Sequence, residues 1–204
     1  VAMLEEAAAA MKQIAKSGKK ILFVATKKQA KSIVAEAAKK LDMPYITERW
    51  PGGLLTNFST IRKSIKKMDG IDKMKTDGSF DTLSKRERLQ IDRTREKLEI
   101  NLGSIVKMNR MPAAIFIIDI NKEHIAVKES AKLGIRSFAV TDTNTNPSLV
   151  NYPIPGNDDA SKAISHIVDV VSKAISEGLS ERSEEQDKKA LEKQKKAKKI
   201  AEEA

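Results

Sequence analysis

The repeat of apolar positions changes several times along this chain, and each change marks an element. Residues 1–17 place Met3, Leu4, Met11 and Ile14 on a helical repeat as buried positions, and Gly18 ends that helix. Residues 21–25 are a continuous apolar run, the mark of a strand buried on both faces of a parallel sheet. A helix over residues 29–41 follows, with Ile33, Val34, Ala37, Ala38 and Leu41 at helical spacing. A short strand over residues 45–47 comes after Pro44. These pieces make one β-α-β unit with a right-handed crossover. Residues 48–57 (ERWPGGLLTN) are a loop, because Pro51 and two adjacent glycines exclude regular structure.

From residue 58 to residue 111 the period becomes purely helical. Ile61, Ile65, Met68, Ile71 and Met74 recur every three or four residues. A turn at residues 76–79 (TDGS) separates them from a second series, Leu83, Ile91, Leu98, Leu102, Ile105 and Met108. Ile91, Leu98 and Ile105 stand one heptad apart. Two amphipathic helices joined by a short turn form an αα-hairpin, read here as an insertion in the sheet.

The sheet resumes at Pro112. Residues 113–118, 137–140 and 152–154 are apolar runs that end in Asp119, in Thr141 and Asp142, and in Gly156, Asn157 and Asp158. A last helix is expected from Asp158 or Asp159, where a carboxylate favours the positive helix end. Its buried stripe is Ile164, Ile167, Val168, Val171 and Ile175, and Gly178 ends the packed part. Five strands alternating with helices predict an α/β fold, a doubly wound flavodoxin-like or Rossmann-like parallel sheet in the order 2-1-3-4-5. The chain then divides into a first α/β part (1–57), the hairpin insertion (58–111), a second α/β part (112–180) and a charged tail (181–204). The tail is nearly all Glu, Gln, Lys and Ala, with little to bury, and reads as mobile or partner-bound.

Composition narrows the function. The net charge of +10 suits a nucleic-acid binder. Part of that excess sits in the tail, on Lys188, Lys189, Lys193, Lys195, Lys196, Lys198 and Lys199. The absence of cysteine excludes disulfides, thiolate metal sites and a cysteine nucleophile, and fits a reducing cytoplasm. No apolar run approaches the roughly 18 residues of a membrane span. The chain does not begin with Met, and its first residues lack the basic flank and apolar block of a signal peptide.

The carboxyl ends of the strands are where such sheets bind ligands. A dinucleotide site needs glycines after the first strand, and here that position holds Thr26, Lys27, Lys28 and Gln29. Gly18, Lys19 and Lys20 precede the strand, so they form no P-loop. Asp119, Asp142 and Asp158 at three strand ends suggest a cation site, a phospho-receiver or a Mg-dependent enzyme. Asp119 and Thr141 occupy two receiver positions, yet no Lys follows the fifth strand and the acidic pair after the first is missing. The adopted reading is that these residues cap helices and bond loop backbone. His124 and His166 have no identifiable catalytic partner and read as exposed or packed histidines. Trp50 is open between stacking on a base and anchoring its loop in the core.

The nucleic-acid reading has more material. Lys27 and Lys28 close the first strand, Arg49 closes the second, and Asn57, Arg62, Lys63, Lys66 and Lys67 follow the glycine loop. Positions 63, 66 and 67 share a helix face opposite Ile61, Ile65 and Met68. Aromatics are only 4% of the chain, which favours recognition of folded RNA through shape and phosphate contacts.

Four blocks carry a family resemblance: residues 20–28 (KILFVATKK), 49–57 (RWPGGLLTN), 112–134 (PAAIFIIDINKEHIAVKESAKLG) and 141–160 (TDTNTNPSLVNYPIPGNDDA). With their order and the hairpin between them, the chain resembles the bacterial small-subunit ribosomal protein two family from residue 1 to about residue 183. The resemblance implies a Rossmann-like sheet with a two-helix coiled-coil insertion, a cytoplasmic structural role in translation, and no catalysis or cofactor. It implies binding to small-subunit rRNA near the head-body junction, beside neighbouring ribosomal proteins, as a single copy rather than a homo-oligomer and away from membranes. In many bacteria the family also helps dock the mRNA-binding ribosomal protein one. By the matching loops, the RNA contacts fall on Lys27, Lys28, Arg49, Trp50, Asn57, Arg62 and Lys63, with Lys66, Lys67 and further basic groups along the hairpin. Two departures stand out. The family's N-terminal His-Phe-Gly-His block is absent, and Arg136 stands where proline or alanine is usual.

Overall fold

The computed structural model describes the backbone of residues 1–202 and the side chains of residues 1–188. The strands are β1 (Ile21–Val24), β2 (Tyr45–Ile46), β3 (Ala114–Ile118), β4 (Arg136–Thr141) and β5 (Tyr152–Pro155). Among the described residues they form one all-parallel sheet in the order β2-β1-β3-β4-β5, as the alternation of strands and helices predicts. The helices are α1 (Ala2–Lys16), α2 (Lys28–Lys40), α3 (Phe58–Thr76), α4 (Lys85–Leu102), α5 (His124–Leu133) and α6 (Ser161–Glu202).

Alternation along the strands divides the core in two. Ile21, Phe23, Ala114, Phe116, Ile118, Phe138 and Val140 face α1, α2 and α6. Leu22, Val24, Ile115, Ile117 and Ala139 face α5, the 50–55 loop and the base of α3. Every residue of β1 and β3 is buried, which explains their unbroken apolar runs. Tyr45, Phe23, Phe116, Phe138 and Tyr152 are consecutive partners across the five strands. Phe138 stacks on Tyr152 at 4.5 Å, and Phe23 meets Phe116 edge-on at 5.5 Å. The chain has eight aromatic residues, and this row places five of them in the sheet.

Helices α3 and α4 run antiparallel, as their ion pairs require: Asp72 meets Arg95 at 2.8 Å and Lys75 meets Asp92 at 2.6 Å. Ser84 opens α4 with a reciprocal capping box to Glu87. The second helical series ends earlier than its apolar repeat predicts. A 3-10 turn, Gly103–Ile105, follows Leu102, and the Ser104 hydroxyl donates to the Tyr45 carbonyl on the sheet edge. Ile105 and Met108 therefore pack beneath the sheet instead of extending the heptad.

Three other expectations change. Met3 is 50% exposed, because only Ala7, Ala8, Met11, Ile14 and Ala15 of α1 are buried. Helix α6 begins at Ser161, and the Asn157 Oδ1 accepts from the backbone N–H groups of Asp159 and Ala160, a role expected of Asp158 or Asp159. Packing of α6 also continues past Gly178. A Cβ there would lie 2.4 Å from the Lys12 carbonyl oxygen, so the glycine permits close approach to α1. Lys12 then pairs with Glu177 and Glu181, and Lys16 with Glu181 and Glu185, at 2.9–3.2 Å. Of the tail lysines, the side chains from Lys189 onward lie outside the described residues.

Candidate nucleic-acid interface

The carboxyl ends of the strands carry two polar constructions. The first fixes the 49–57 loop. Glu129 projects from the buried side of α5 and is only 7% exposed. Its Oε1 accepts from the Trp50 indole N–H at 3.1 Å and the Gly53 N–H at 2.7 Å. Its Oε2 accepts from the N–H groups of Leu55 and Thr56, both at 3.0 Å, and from the Thr56 hydroxyl at 3.2 Å. Burial pushes this carboxyl up, but the hydrogen bonds from Thr56, Trp50, Gly53 and Leu55 outweigh it and hold the carboxyl below its ordinary range. Gly53 has φ +83°, which lets the loop wrap around the acid.

Trp50 is corrected by this arrangement. It is 5% exposed, it lies in the same buried cluster as Leu54, Leu55 and Ile65, and its N–H is occupied. It anchors the loop and offers no face to a base. Sequence reading missed Glu129. The available signal was a charged residue three positions after Ala126 on the apolar stripe of α5, where an acid stays only with partners.

The second construction centres on Lys27. Its ammonium lies 2.8 Å from Asp158, 2.6 Å from Asp159 and 3.5 Å from Asp119, joining the ends of β1, β3 and β5. Partial burial lowers its pKa, but hydrogen bonds to Asp158 and Asp159 prevail and raise it above the ordinary lysine value. Lys27 is therefore corrected as well: it pairs with the buried Asp158, with Asp119 and with the exposed Asp159, and its side chain is only 16% exposed.

The acids themselves do loop work. Asp119 Oδ1 accepts from the Lys122 N–H at 3.0 Å. Asp142 Oδ1 accepts from the Thr143 N–H at 2.6 Å, and this bond holds the Asp142 carboxyl low. Carboxylate oxygens of Asp142, Asp158 and Asp159 lie within 4.8 Å of one another, with Asp119 joined to the group through Lys27. Nearby, Glu123 is 3% exposed and accepts from the Thr26 hydroxyl; burial raises its pKa despite that bond. His124 and His166 are both exposed.

The remaining basic residues differ in availability. Arg62 donates to the carbonyls of Val106 and Met108, each at 3.4 Å, and ties α3 to the segment after α4. Lys28, Arg49, Lys63, Lys66 and Lys67 are exposed and have no hydrogen-bond or ion-pair partner among the described residues. Asn57 is exposed at the start of α3, where its Oδ1 accepts from the Ser59 and Thr60 hydroxyls. The structure thus separates nine candidate residues into one buried anchor (Trp50), one half-buried ion-pair centre (Lys27), one strut and six accessible groups.

A class of protein follows from fold and site together: a doubly wound α/β scaffold whose ligand edge carries lysine and arginine where a dinucleotide site needs glycine. The sequence pattern of the ribosomal protein S2 family matches residues 1–178. The chain is 63% identical over 191 residues to the small ribosomal subunit protein uS2 of Flavobacterium johnsoniae, covering 94% of this chain and 75% of that one. To the uS2 of Christiangramia forsetii it is 64% identical, covering 90% of this chain and 62% of the other. To that of Porphyromonas gingivalis it is 63% identical, covering 91% and 66%. The chain belongs to the ribosomal protein S2 family and spans roughly two thirds to three quarters of these relatives' length. It is a family of structural proteins, so the phospho-receiver and Mg-dependent alternatives have no support. No helix among the described residues is long and apolar enough to cross a membrane.

Proposed function

We propose that this chain is a structural component of the cytoplasmic small ribosomal subunit that binds small-subunit rRNA and catalyses nothing. One observation carries the reading: five cations without a partner among the described residues, Lys28, Arg49, Lys63, Lys66 and Lys67, project from the ligand edge and the first turns of α3. Glu129 holds the 49–57 loop rigid, so Arg49 and Asn57 meet phosphates without first paying the entropy of ordering. With five aromatics in the sheet and Trp50 in the core, the surface suits backbone and shape recognition better than base stacking. The 58–111 hairpin extends this surface. Location near the head-body junction, and a docking role toward ribosomal protein one, rest on the family resemblance.

Sedimentation tests the proposal. The protein is expected in the small-subunit fraction after a moderate-salt wash. Its absence there, with the protein folded and recovered in the supernatant, would overturn it.

A further inference from the structure

We propose that the groove between α3 and α4 is a track for an RNA backbone, with its phosphates held by Arg49, Lys67, Arg93 and Lys97. This rests on the rRNA-binding reading above and assigns part of that binding to a specific channel. Two adjoining clefts make the groove. One, of about 730 Å³, is lined by Arg49, Ser64, Arg93 and Lys97 over a floor that includes Ile61 and Leu98. The other, of about 570 Å³, is lined by Lys67, Met74 and Ile91, and it shares Gln90 and Thr94 with the first. Among the described residues, no carboxylate lines either cleft.

The partition of charge across α4 points to an anion. On one flank of the seam the cations are satisfied within the hairpin. Arg95 pairs with Asp72, Lys75 with Asp92, and Arg88 with Asp81. On the other flank Arg93 and Lys97 are exposed and have no partner among the described residues, like Arg49 and Lys67. A helical wheel puts residues 88, 92, 95 and 99 on the opposite side of α4 from 90, 93, 97 and 101. Asp72, Asp81 and Asp92 are therefore used on one flank, and on the other Arg93 and Lys97 have no ion-pair partner among the described residues.

The spacing fits a polyanion better than a single ion. Arg93 and Lys97 are four residues apart, a rise of roughly 6 Å along the helix. That step is comparable to the separation of successive phosphates on an RNA strand. The Ser64 and Thr94 hydroxyls donate to the carbonyls of Thr60 and Gln90, leaving oxygen lone pairs free to accept from ribose 2′-hydroxyls. Arg49 also belongs to the loop fixed by Glu129, so the groove opens directly onto the proposed rRNA-binding edge.

The test compares three full-length proteins binding a small-subunit rRNA transcript across a salt series. They are the parent chain, the Arg93→Ala/Lys97→Ala variant, and a Lys162→Ala/Lys173→Ala control that removes the same charge from exposed sites on α6. Losing two phosphate contacts should reduce the magnitude of the log–log salt slope by about 1.5 and weaken binding roughly tenfold at 0.15 M salt, with little change in the control. If the alanine variant misfolds by circular dichroism, Arg93→Gln/Lys97→Gln replaces it. Parent binding with unchanged slope in the groove variant would overturn the groove and leave the rRNA reading intact. No binding by the parent would overturn the rRNA reading itself. Loss of a neighbouring ribosomal protein's binding, with RNA binding unchanged, would assign the groove to a protein and reject the proposal.

Discussion

Replacing Glu129 by alanine should detach the 49–57 loop from the scaffold. The substitution strands the indole N–H of Trp50 and the backbone N–H groups of Gly53, Leu55 and Thr56. Trp50 and Leu55 are buried, at 5% and 1% exposure, so water does not readily replace the lost acceptor. A hydrogen bond to a charged group contributes about 1.5–3 kcal/mol, and these two buried donors alone give about 3–6 kcal/mol. That is a large share of the ~5–15 kcal/mol that stabilises a typical domain. Trp50 is the only tryptophan, so urea unfolding followed by its fluorescence reports on the loop directly. Glu129→Ala should lower the midpoint and red-shift native emission as the indole meets water. Glu129→Gln, which keeps one acceptor oxygen, should fall between alanine and the parent. The sign with pH is fixed too. Because the folded carboxyl titrates below its ordinary value of 4.5, its stabilisation is complete above that value and is lost as pH falls through the lower folded value. A Glu129→Ala protein within about 1 kcal/mol of the parent, with unshifted emission, would refute the latch.

Glu123 should behave oppositely: its folded pKa is raised, so its contribution is most favourable below 4.5 and is lost as pH rises. Glu123→Gln is expected to stabilise the fold at pH 7 by about 0.5–2 kcal/mol, with the gain vanishing in acid, as thermal melts would show. Lys27→Met should destabilise by about 3–5 kcal/mol, because it leaves Asp158, 2% exposed, as an uncompensated buried charge. Adding Asp158→Asn should recover part of that loss in chemical denaturation. Gly178→Ala drives a methyl group into the Lys12 carbonyl and should cost about 1–3 kcal/mol in the same assay. Arg62→Ala should lower stability while leaving the salt slope of RNA binding nearly unchanged, whereas Lys63→Ala should do the reverse.

Local patterns exposed the scaffold. The run at β1 is buried on both faces, so every residue in it had to be apolar, and strand order followed from the alternation of elements. The site was legible only in outline. Its basic residues are visible in the chain, but their availability depends on partners distant in sequence. Lys27 and Lys28 look alike until Asp158, 131 residues from Lys27, meets one of them. Trp50 could stack or anchor until Glu129, 79 residues away, takes its N–H. Arg62 belongs to the same basic run as Lys63, yet its guanidinium is directed to carbonyls after α4. Element ends failed for a related reason. Ser104 binding to Tyr45 and Asn157 bonding the turn before α6 are contacts that helical periodicity does not encode.

The accessible cations are expected to meet phosphate. The direct measurement is the affinity of the full chain for a small-subunit rRNA transcript as a function of salt. Five cations at the ligand edge and the start of α3, without partners among the described residues, predict a log–log slope of about −4 or steeper. A slope flatter than about −1, or no saturable binding at low salt, would contradict it.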